Sequence, residues 1–219
     1  MTGFWRNGLT KSEAGRQVPA GPARHREANL KLAMTDKEAA LLEAHLRATR
    51  SYLEFGSGGS TFLAAQHVRD SLISVDSSLE WLTRVESEIG KVRKHADISL
   101  HHVDIGPLVQ WGYPADHSNR NSWPQYSTSV WQNEGSTDAD LYLIDGRFRV
   151  ACFSETLVHA RVGAMILIHD FESRPEYHVV KELTRRVAVA DELSVFVKDT
   201  NSNVDAAKKM AEAYRYNVQ

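Results

Sequence analysis

Residues 52–65 read YLEFGSGGSTFLAA, and the other features of the chain are interpreted from this segment. The apolar run that ends at Phe55 predicts a strand, the glycines and serines after it predict a tight loop, and the residues from Ser60 onward predict a helix. Glycine lets a backbone approach a ligand closely, and a helix N-terminus offers unpaired N–H donors. A strand, a glycine-rich loop and a helix in this order predict a cradle for a nucleotide.

Strand-like and helix-like segments alternate along the rest of the chain. The predicted strands are 51–55, 72–75, 98–103, 141–144, 164–168 and 193–197. The predicted helices are 60–68, 78–92, 150–160, 175–187 and 204–214, preceded by one that begins at a capping box of Thr35 and Glu38. This alternation predicts an α/β fold, with a doubly wound, mainly parallel Rossmann-like sheet and helices on both faces.

Composition narrows the function classes. Of the 219 residues, 42% are hydrophobic and 25% are charged, as in soluble globular proteins. The formal net charge is −2, so we expect neither nucleic acid nor a membrane surface as a partner. The single cysteine, Cys152, excludes an internal disulfide and a thiolate metal cluster. Without a long apolar segment or a secretory signal, the chain is expected to be cytoplasmic.

Two regions differ from the alternating pattern. Residues 1–33 form a basic arm, which we expect to pack on the domain or on a partner subunit, with a nucleic-acid-binding tail or a transit peptide as the alternatives. Residues 34–219 form a single domain. Within that domain, the segment 106–137 lacks periodicity but is rich in aromatic side chains, among them Trp111, Tyr113 and Trp123. Such a segment predicts a lid or substrate wall, although the interface of a homodimer would use the same residues.

Acidic residues follow the second and third predicted strands. Asp76 lies 20 residues after Gly56, the spacing at which a carboxylate binds the ribose hydroxyls of a nucleotide. Asp104 closes the third strand, where it could accept a hydrogen bond from an adenine amino group. Together with the glycine loop, these acids predict a nucleotide cofactor at one edge of the sheet.

The identity of the nucleotide depends on two positions of the loop. The dinucleotide pattern G-x-G-x-x-G/A has Thr61 at its sixth position here, and Glu54 precedes the first glycine by two residues. A carboxylate at that point would repel a pyrophosphate but suits a ligand with an ammonium and a sulfonium. The run from Glu54 to Gly58 matches acid-x-Gly-x-Gly, and from about residue 35 to 197 the chain resembles the class I S-adenosylmethionine-dependent methyltransferases.

This resemblance implies roles for the loop and the acids. Glu54, Gly56, Ser57 and Gly58 would hold the methionine part of S-adenosylmethionine, with Thr61 in the same loop, while Asp76 would bind the ribose and Asp104 the adenine. It also implies that the sheet ends in an antiparallel hairpin, of which only 193–197 is a clear strand in the sequence. Trp81 could flank the adenine or pack in the core.

The candidate chemistry lies after the fourth and fifth strands. Asp145, His169 and Asp170 should converge beside the cofactor, and a histidine or a carboxylate can take a proton from the methyl acceptor. Catechol-type O-methyltransferases place a divalent cation at similar positions, so Asp145 and Asp170 could instead bind Mg²⁺. A purely structural role for the three residues is the third alternative.

Basic and aromatic side chains follow the same two strands. Arg147 and Arg149 come after Asp145, and Arg174 and Tyr177 come after Asp170. The arginines could hold a carboxylate or phosphate of the substrate, or pair with acids such as Asp145 and Glu172.

The sequence therefore predicts an S-adenosylmethionine-dependent methyltransferase that acts on a small molecule, at oxygen. The Asp-Pro-Pro-Tyr type of motif, which accompanies amino methylation, is replaced by Asp-Gly-Arg-Phe at 145–148. An NAD-type oxidoreductase and a non-catalytic S-adenosylmethionine-binding module are the alternatives.

Overall fold

The computed structural model describes residues 30–92 and 94–219, so most of the predicted basic arm (1–33) lies outside the described residues. The α-helices are α1 (Asp36–Ala48), α2 (Gly59–His67), α3 (Leu79–Ile89), α4 (Gln125–Thr128), α5 (Arg149–His159) and α6 (Val204–Tyr214). The strands are β1 (Ser51–Phe55), β2 (Ser71–Asp76), β3 (Asp97–His102), β4 (Leu141–Ile144), β5 (Met165–Ile168), β6 (Arg185–Ala190) and β7 (Leu193–Val197). None of the helices described is long and apolar enough to cross a membrane.

The seven strands form one sheet in the order β3-β2-β1-β4-β5-β7-β6. The first five run parallel, whereas β7 is antiparallel to both β5 and β6. The predicted doubly wound, mainly parallel α/β fold is therefore confirmed. The order reverses direction between β1 and β4, which is where such sheets bind ligands.

One predicted helix is wrong at its C-terminal end. Residues 175–187 were expected to be helical, but a 3₁₀ helix covers only Pro175–Glu182 and β6 begins at Arg185. From Arg185 onward the backbone pairs with β7, and the left-handed Asp191 (φ 45°) turns the chain between the two strands. The hairpin implied by the family resemblance is thus present.

The strand register brings the C-terminal ends of β1, β2, β4 and β5 to the same level. Phe55, the last residue of β1, pairs with Val75 on one side and with Ile144 on the other, and Ile144 pairs with Ile168. The residues that follow these four strands therefore meet at one edge of the sheet. This edge is called the carboxyl edge below.

The two faces of the sheet bury separate cores because successive strand residues point to opposite sides. Tyr52 packs with the apolar sides of α1, α2 and α3, whereas Leu53 and Phe55 pack with α5 and with the segment 106–137. That segment contains α4 and three short 3₁₀ turns, Gln110–Gly112, Arg120–Ser122 and Ser129–Gln132. It covers the core on the α5 side and extends along the carboxyl edge.

Candidate active site

Glu54, a residue of β1, holds the glycine loop between β1 and α2 in place from inside the core. This side chain is fully buried, and its carboxylate accepts hydrogen bonds from Tyr52 (2.9 Å), Ser74 (2.7 Å) and Thr61. The Thr61 hydroxyl also accepts the Gly58 N–H at 2.8 Å, so the chain of contacts runs from the carboxylate into the loop. Burial raises the pKa of Glu54 to about 7, although its hydroxyl donors act in the opposite direction. Glu54 thus supports the loop through Thr61.

Gly56 makes the sharp turn out of β1. Its φ is +98°, a value that side-chain-bearing residues rarely adopt, and a Cβ there would lie 2.6 Å from the Gly146 nitrogen. The backbone after β4 therefore touches the glycine loop. Only glycine allows this approach, which brings Asp145 next to the loop.

Asp76, at the end of β2, holds the other side of the loop. Its carboxylate accepts the N–H groups of Ser57 (3.0 Å) and Ser78 (2.8 Å), and burial, the largest influence, raises its pKa. The Trp81 indole donates to the Ser57 carbonyl at 2.7 Å. Trp81, for which the sequence left two roles open, is a support of the loop.

Asp104 lies farther out at the same edge. It is exposed, and it accepts the Gly106 N–H at 2.8 Å in a tight turn. The neighbouring His101 and His102 contact different partners, Ser129 (2.8 Å) and the Ser77 carbonyl (3.1 Å), as opposite faces of a strand require. Contact of Asp104 with adenine stays a prediction.

Asp145, His169 and Asp170 do converge, and a buried acid from α1 joins them. His169 Nδ1 lies 3.1 Å from Asp145 and its Nε2 lies 3.5 Å from Glu38. Burial lowers the pKa of His169, but the hydrogen bond and charge of Asp145, with the charges of Asp170 and Glu38, outweigh it and raise that pKa. Conversely, burial raises the pKa of Asp145, but His169 and Arg149 outweigh it and lower that pKa. The imidazole thus lies between acidic side chains that favour its protonated form.

Arg149 lies between the two aspartates. Its Nη2 is 3.2 Å from Asp145 and 3.0 Å from Asp170, and its remaining N–H groups donate to the carbonyls of Gly146 (3.0 Å) and His169 (2.5 Å). Asp145, His169 and Asp170 have potential ligand atoms within 4.8 Å of one another. However, the buried guanidinium already provides the positive charge between the carboxylates. The residues therefore do not fit a Mg²⁺ site.

Arg147 has a different environment, although it is only two residues away. It is buried, and its guanidinium carbon lies 4.1 Å from the centre of the Tyr113 ring. Within residues 30–92 and 94–219, its Nε and Nη1 have no hydrogen-bond partner. Arg174 pairs with Asp170 at 3.1 Å and donates to the Tyr177 hydroxyl at 3.2 Å. Ion pairing, one of the two roles open for these arginines, thus applies to Arg149 and Arg174 but not to Arg147.

The aromatic residues predicted to form the substrate wall divide into three environments. Trp111 is 73% exposed at the tip of a small antiparallel loop, residues 108–114, which we call the tongue. Tyr113 lies on the inner side of the tongue, over Arg147. Tyr177 is buried beside Arg174. Trp123 is a correction: it is 3% exposed and packs against Phe148, so it belongs to the core.

Comparison with known proteins gives this arrangement a family context. No family model matches the chain, and no curated protein matches its sequence. The crystal structure of a methyltransferase-like protein from Silicibacter pomeroyi DSS-3 is similar over 87% of this chain and 98% of that one, with 27% identity and a TM-score of 0.76. The chain has the class I methyltransferase fold. Cofactor-bound Rv0187 from MTB shares the fold over 79% of this chain and 85% of that one, with 15% identity and a TM-score of 0.51.

The methyltransferase fold confirms the resemblance found in the sequence, but several residues of the site were not predicted. Glu38 was predicted only as a helix cap, and the sequence has no signal that places it at His169. Tyr52 and Ser74 are strand residues whose polar groups turn toward Glu54. A buried strand with an acid two residues after a tyrosine is the one local sign of this cluster.

Proposed function

We propose that this protein is an S-adenosylmethionine-dependent methyltransferase that acts on an oxygen atom of a small molecule. The proposal rests on the glycine loop at the carboxyl edge. Two carboxylates hold this loop, Glu54 through Thr61 and Asp76 through the Ser57 N–H. Supporting both sides of a loop in advance lowers the entropic cost of binding a ligand to it. The methyltransferase fold of the chain agrees with this assignment.

The two carboxylates that support the glycine loop suit the proposed cofactor. The Asp76 carboxylate accepts the N–H groups of Ser57 and Ser78, with a further contribution from the Ser77 N–H, and its remaining lone pairs can accept a ribose hydroxyl. Glu54 provides a carboxylate beneath the loop, and no opposing cation contacts it among the described residues. When bound, S-adenosylmethionine supplies a methyl group on a positively charged sulfur, already activated for in-line displacement.

The acceptor would bind on the β4 and β5 side of the carboxyl edge. Asp145 Oδ1 is occupied by His169 and Arg149, whereas Oδ2 accepts no hydrogen bond from the described residues and the side chain is 25% exposed. This oxygen can accept the hydrogen bond of an acceptor hydroxyl and orient its lone pair toward the methyl group. His169, enclosed between Asp145 and Glu38, acts as a positioning residue for Asp145. Asp170 holds Arg149 and Arg174 in place.

The position of the tongue favours a methyl acceptor of small size. A Cβ on Gly112 would lie 3.5 Å from the Ser77 hydroxyl, and Tyr113 covers Arg147, so the tongue crosses the edge from β2 to β4. We infer that an edge covered in this way binds a small molecule rather than a folded protein or a duplex.

Calorimetric titration of the full chain with S-adenosylmethionine and S-adenosylhomocysteine tests the cofactor assignment, with NAD titrated in parallel. We expect saturable binding of both sulfur compounds, unchanged by a chelator, and at least tenfold weaker binding by Asp76→Ala. The exposed Asp138→Ala variant is the control for loss of one carboxylate. Binding of NAD alone would favour an oxidoreductase, and no binding of either sulfur compound would refute the proposal.

Activity is tested separately. Methyl transfer from labelled S-adenosylmethionine to a library of hydroxylated small molecules should be detectable, and Asp145→Asn should lower kcat at least tenfold while cofactor affinity stays the same. A protein that binds the cofactor, with all library compounds inert, would instead be the non-catalytic module.

A further inference from the structure

Arg147 is a buried cation that forms no ion pair with a described residue. The residue is 6% exposed, and Nε and Nη1 have no hydrogen-bond acceptor in the part of the chain that the structure describes. Its neighbours differ, since Arg149 is paired with two aspartates and Arg174 with one. Burying an unpaired charge is strongly unfavourable. Such a group at the edge of a cleft therefore points to an anionic ligand.

A second guanidinium is directed at the same place. The Tyr113 hydroxyl interacts with both Arg147 and Arg174. Burial acts to raise the pKa of this phenol, but the two guanidinium groups outweigh it and lower the pKa. The point between the two arginines is thus electropositive, and it already holds an oxygen atom of the tongue.

The guanidinium groups around this point differ in their pairing. Arg149 and Arg174 form ion pairs with Asp145 and Asp170, whereas Arg147 forms none with a described residue. Two guanidinium groups that converge on one oxygen can hold a carboxylate or a phosphate, each of which accepts several N–H donors.

The position of the two arginines along the sheet edge indicates that the anion belongs to the methyl acceptor rather than to the cofactor. Arg147 follows β4 and Arg174 lies beyond β5, whereas the glycine loop and Asp76 follow β1 and β2. Neighbouring strands are about 4.8 Å apart, so β5 is about 10 Å from β1. Arg174 therefore lies on the side of the edge away from the glycine loop, and Arg147, which follows β4, lies between Arg174 and that loop.

We propose that Arg147 and Arg174 bind an anionic oxygen group, a carboxylate or a phosphate, of the methyl acceptor, with Tyr113 as the lid over it. This inference rests on the proposed function, because it names the class of acceptor. The tongue exposes Val109 and Trp111 to solvent, and a left-handed residue, Trp111 (φ 64°), forms its tip. Displacement of the tongue gives the anion access to the guanidinium groups, and Tyr113 covers it on closure.

A stability measurement separates this role from a structural one. Arg147→Met removes an unpaired charge and keeps the length of the side chain, so we expect a midpoint of thermal unfolding at or above that of the wild type. Arg185→Met, at an exposed position of β6 distant from the cleft, is the control. A clear decrease for Arg147→Met alone would show that the guanidinium stabilises the fold, and it would overturn the proposal.

Binding measurements test the ligand class in the presence of saturating S-adenosylhomocysteine. The probes are benzoate, phenyl phosphate and the neutral benzamide, titrated into the full chain. We expect saturable binding of at least one anion, at least tenfold weaker binding of benzamide, and at least a tenfold loss of anion affinity in Arg147→Met and in Arg174→Met. Arg185→Met should bind as the wild type does. A preference between the two anions distinguishes carboxylate from phosphate.

Three results would overturn the inference. These are the absence of saturable binding of both anions, equal binding of benzoate and benzamide, and unchanged anion affinity in Arg147→Met. A separate titration of S-adenosylhomocysteine without the probes isolates the proposed function. If the wild type fails to bind it, the methyltransferase assignment fails. If the wild type binds it and Arg147→Met alone weakens it tenfold, the arginine serves the cofactor's own carboxylate, and the acceptor inference is wrong.

Discussion

Replacement of Glu54 by glutamine should change how the stability of this protein depends on pH. The folded state raises the pKa of Glu54 from 4.5 to about 7, because burial disfavours the ionised carboxylate. An acid with a raised folded pKa contributes stability that is fully present below its unfolded pKa and is lost as pH rises through its folded pKa. For Glu54 this window runs from pH 4.5 to about 7.

The magnitude follows from the size of the shift. Each pKa unit corresponds to about 1.4 kcal/mol, so ionisation of Glu54 should remove about 2–3 kcal/mol of unfolding free energy between pH 5 and pH 8.5. Glutamine is neutral throughout this range and resembles the protonated acid. Its amide must rearrange the hydroxyls of Tyr52, Ser74 and Thr61, but that cost is independent of pH.

Urea denaturation at pH 5, 6, 7 and 8.5 measures the effect as a difference between wild type and Glu54→Gln. We expect the variant to gain about 2–3 kcal/mol relative to the wild type over this range. Other titrating groups, His169 included, are present in both proteins and cancel in the comparison. Glu80→Gln, on the exposed first turn of α3, controls for the loss of one charge. A difference that stays constant with pH would refute the reasoning, since it would mean that the buried carboxylate titrates in its ordinary range.

Three further changes test other parts of the site. Gly56→Ala should cost at least about 3 kcal/mol, because the new Cβ meets the backbone after β4 and φ is positive; Gly135→Ala (φ +79°), where nothing lies within 4 Å, should cost only about 1 kcal/mol in the same urea assay. Equal costs would contradict the close approach. Arg149→Met should cost about 3–5 kcal/mol because it removes the buried cation that Asp145 and Asp170 share, and a loss below about 1 kcal/mol would contradict the bridge. His169→Gln should destabilise the protein more at pH 6 than at pH 9, because a raised folded pKa contributes stability that is lost as pH rises above the unfolded value of 6.5. Equal losses at the two pH values, measured by urea denaturation, would contradict the raised pKa.

The sequence predicted the arrangement around the glycine loop better than the arrangement of the residues that follow β4 and β5. The glycine loop, Glu54 and Asp76 lie within 23 residues of one another, and their meeting depends only on two adjacent strands and the turn between them. Local rules for strands, glycines and helix starts are sufficient there. The proposed acceptor side joins residues from α1, the tongue, β4, β5 and the 3₁₀ helix that begins at Pro175. Sequence patterns carry no information on how such distant segments pack.

Arg147 and Arg149 illustrate this difference at a single turn. From the sequence, both could have bound a ligand or paired with acids. Between them Phe148 adopts a left-handed conformation (φ 54°), and Arg149 becomes the first residue of α5. The turn directs one guanidinium between Asp145 and Asp170 and the other under Tyr113. Because Phe148 is not a glycine, the sequence has no sign of this reversal.

Arg149 also determines what chemistry this edge of the sheet can perform. A divalent cation between Asp145 and Asp170 would have to displace a guanidinium that makes four contacts and is 3% exposed, and the displaced charge would need a new partner inside the protein. The fixed charge makes a metal unnecessary for holding the two acids together. With these acids neutralised, the charge of Arg147 is the one left to act on a ligand. This set of charges therefore favours an anionic ligand, rather than a metal ion, on the proposed acceptor side of the edge.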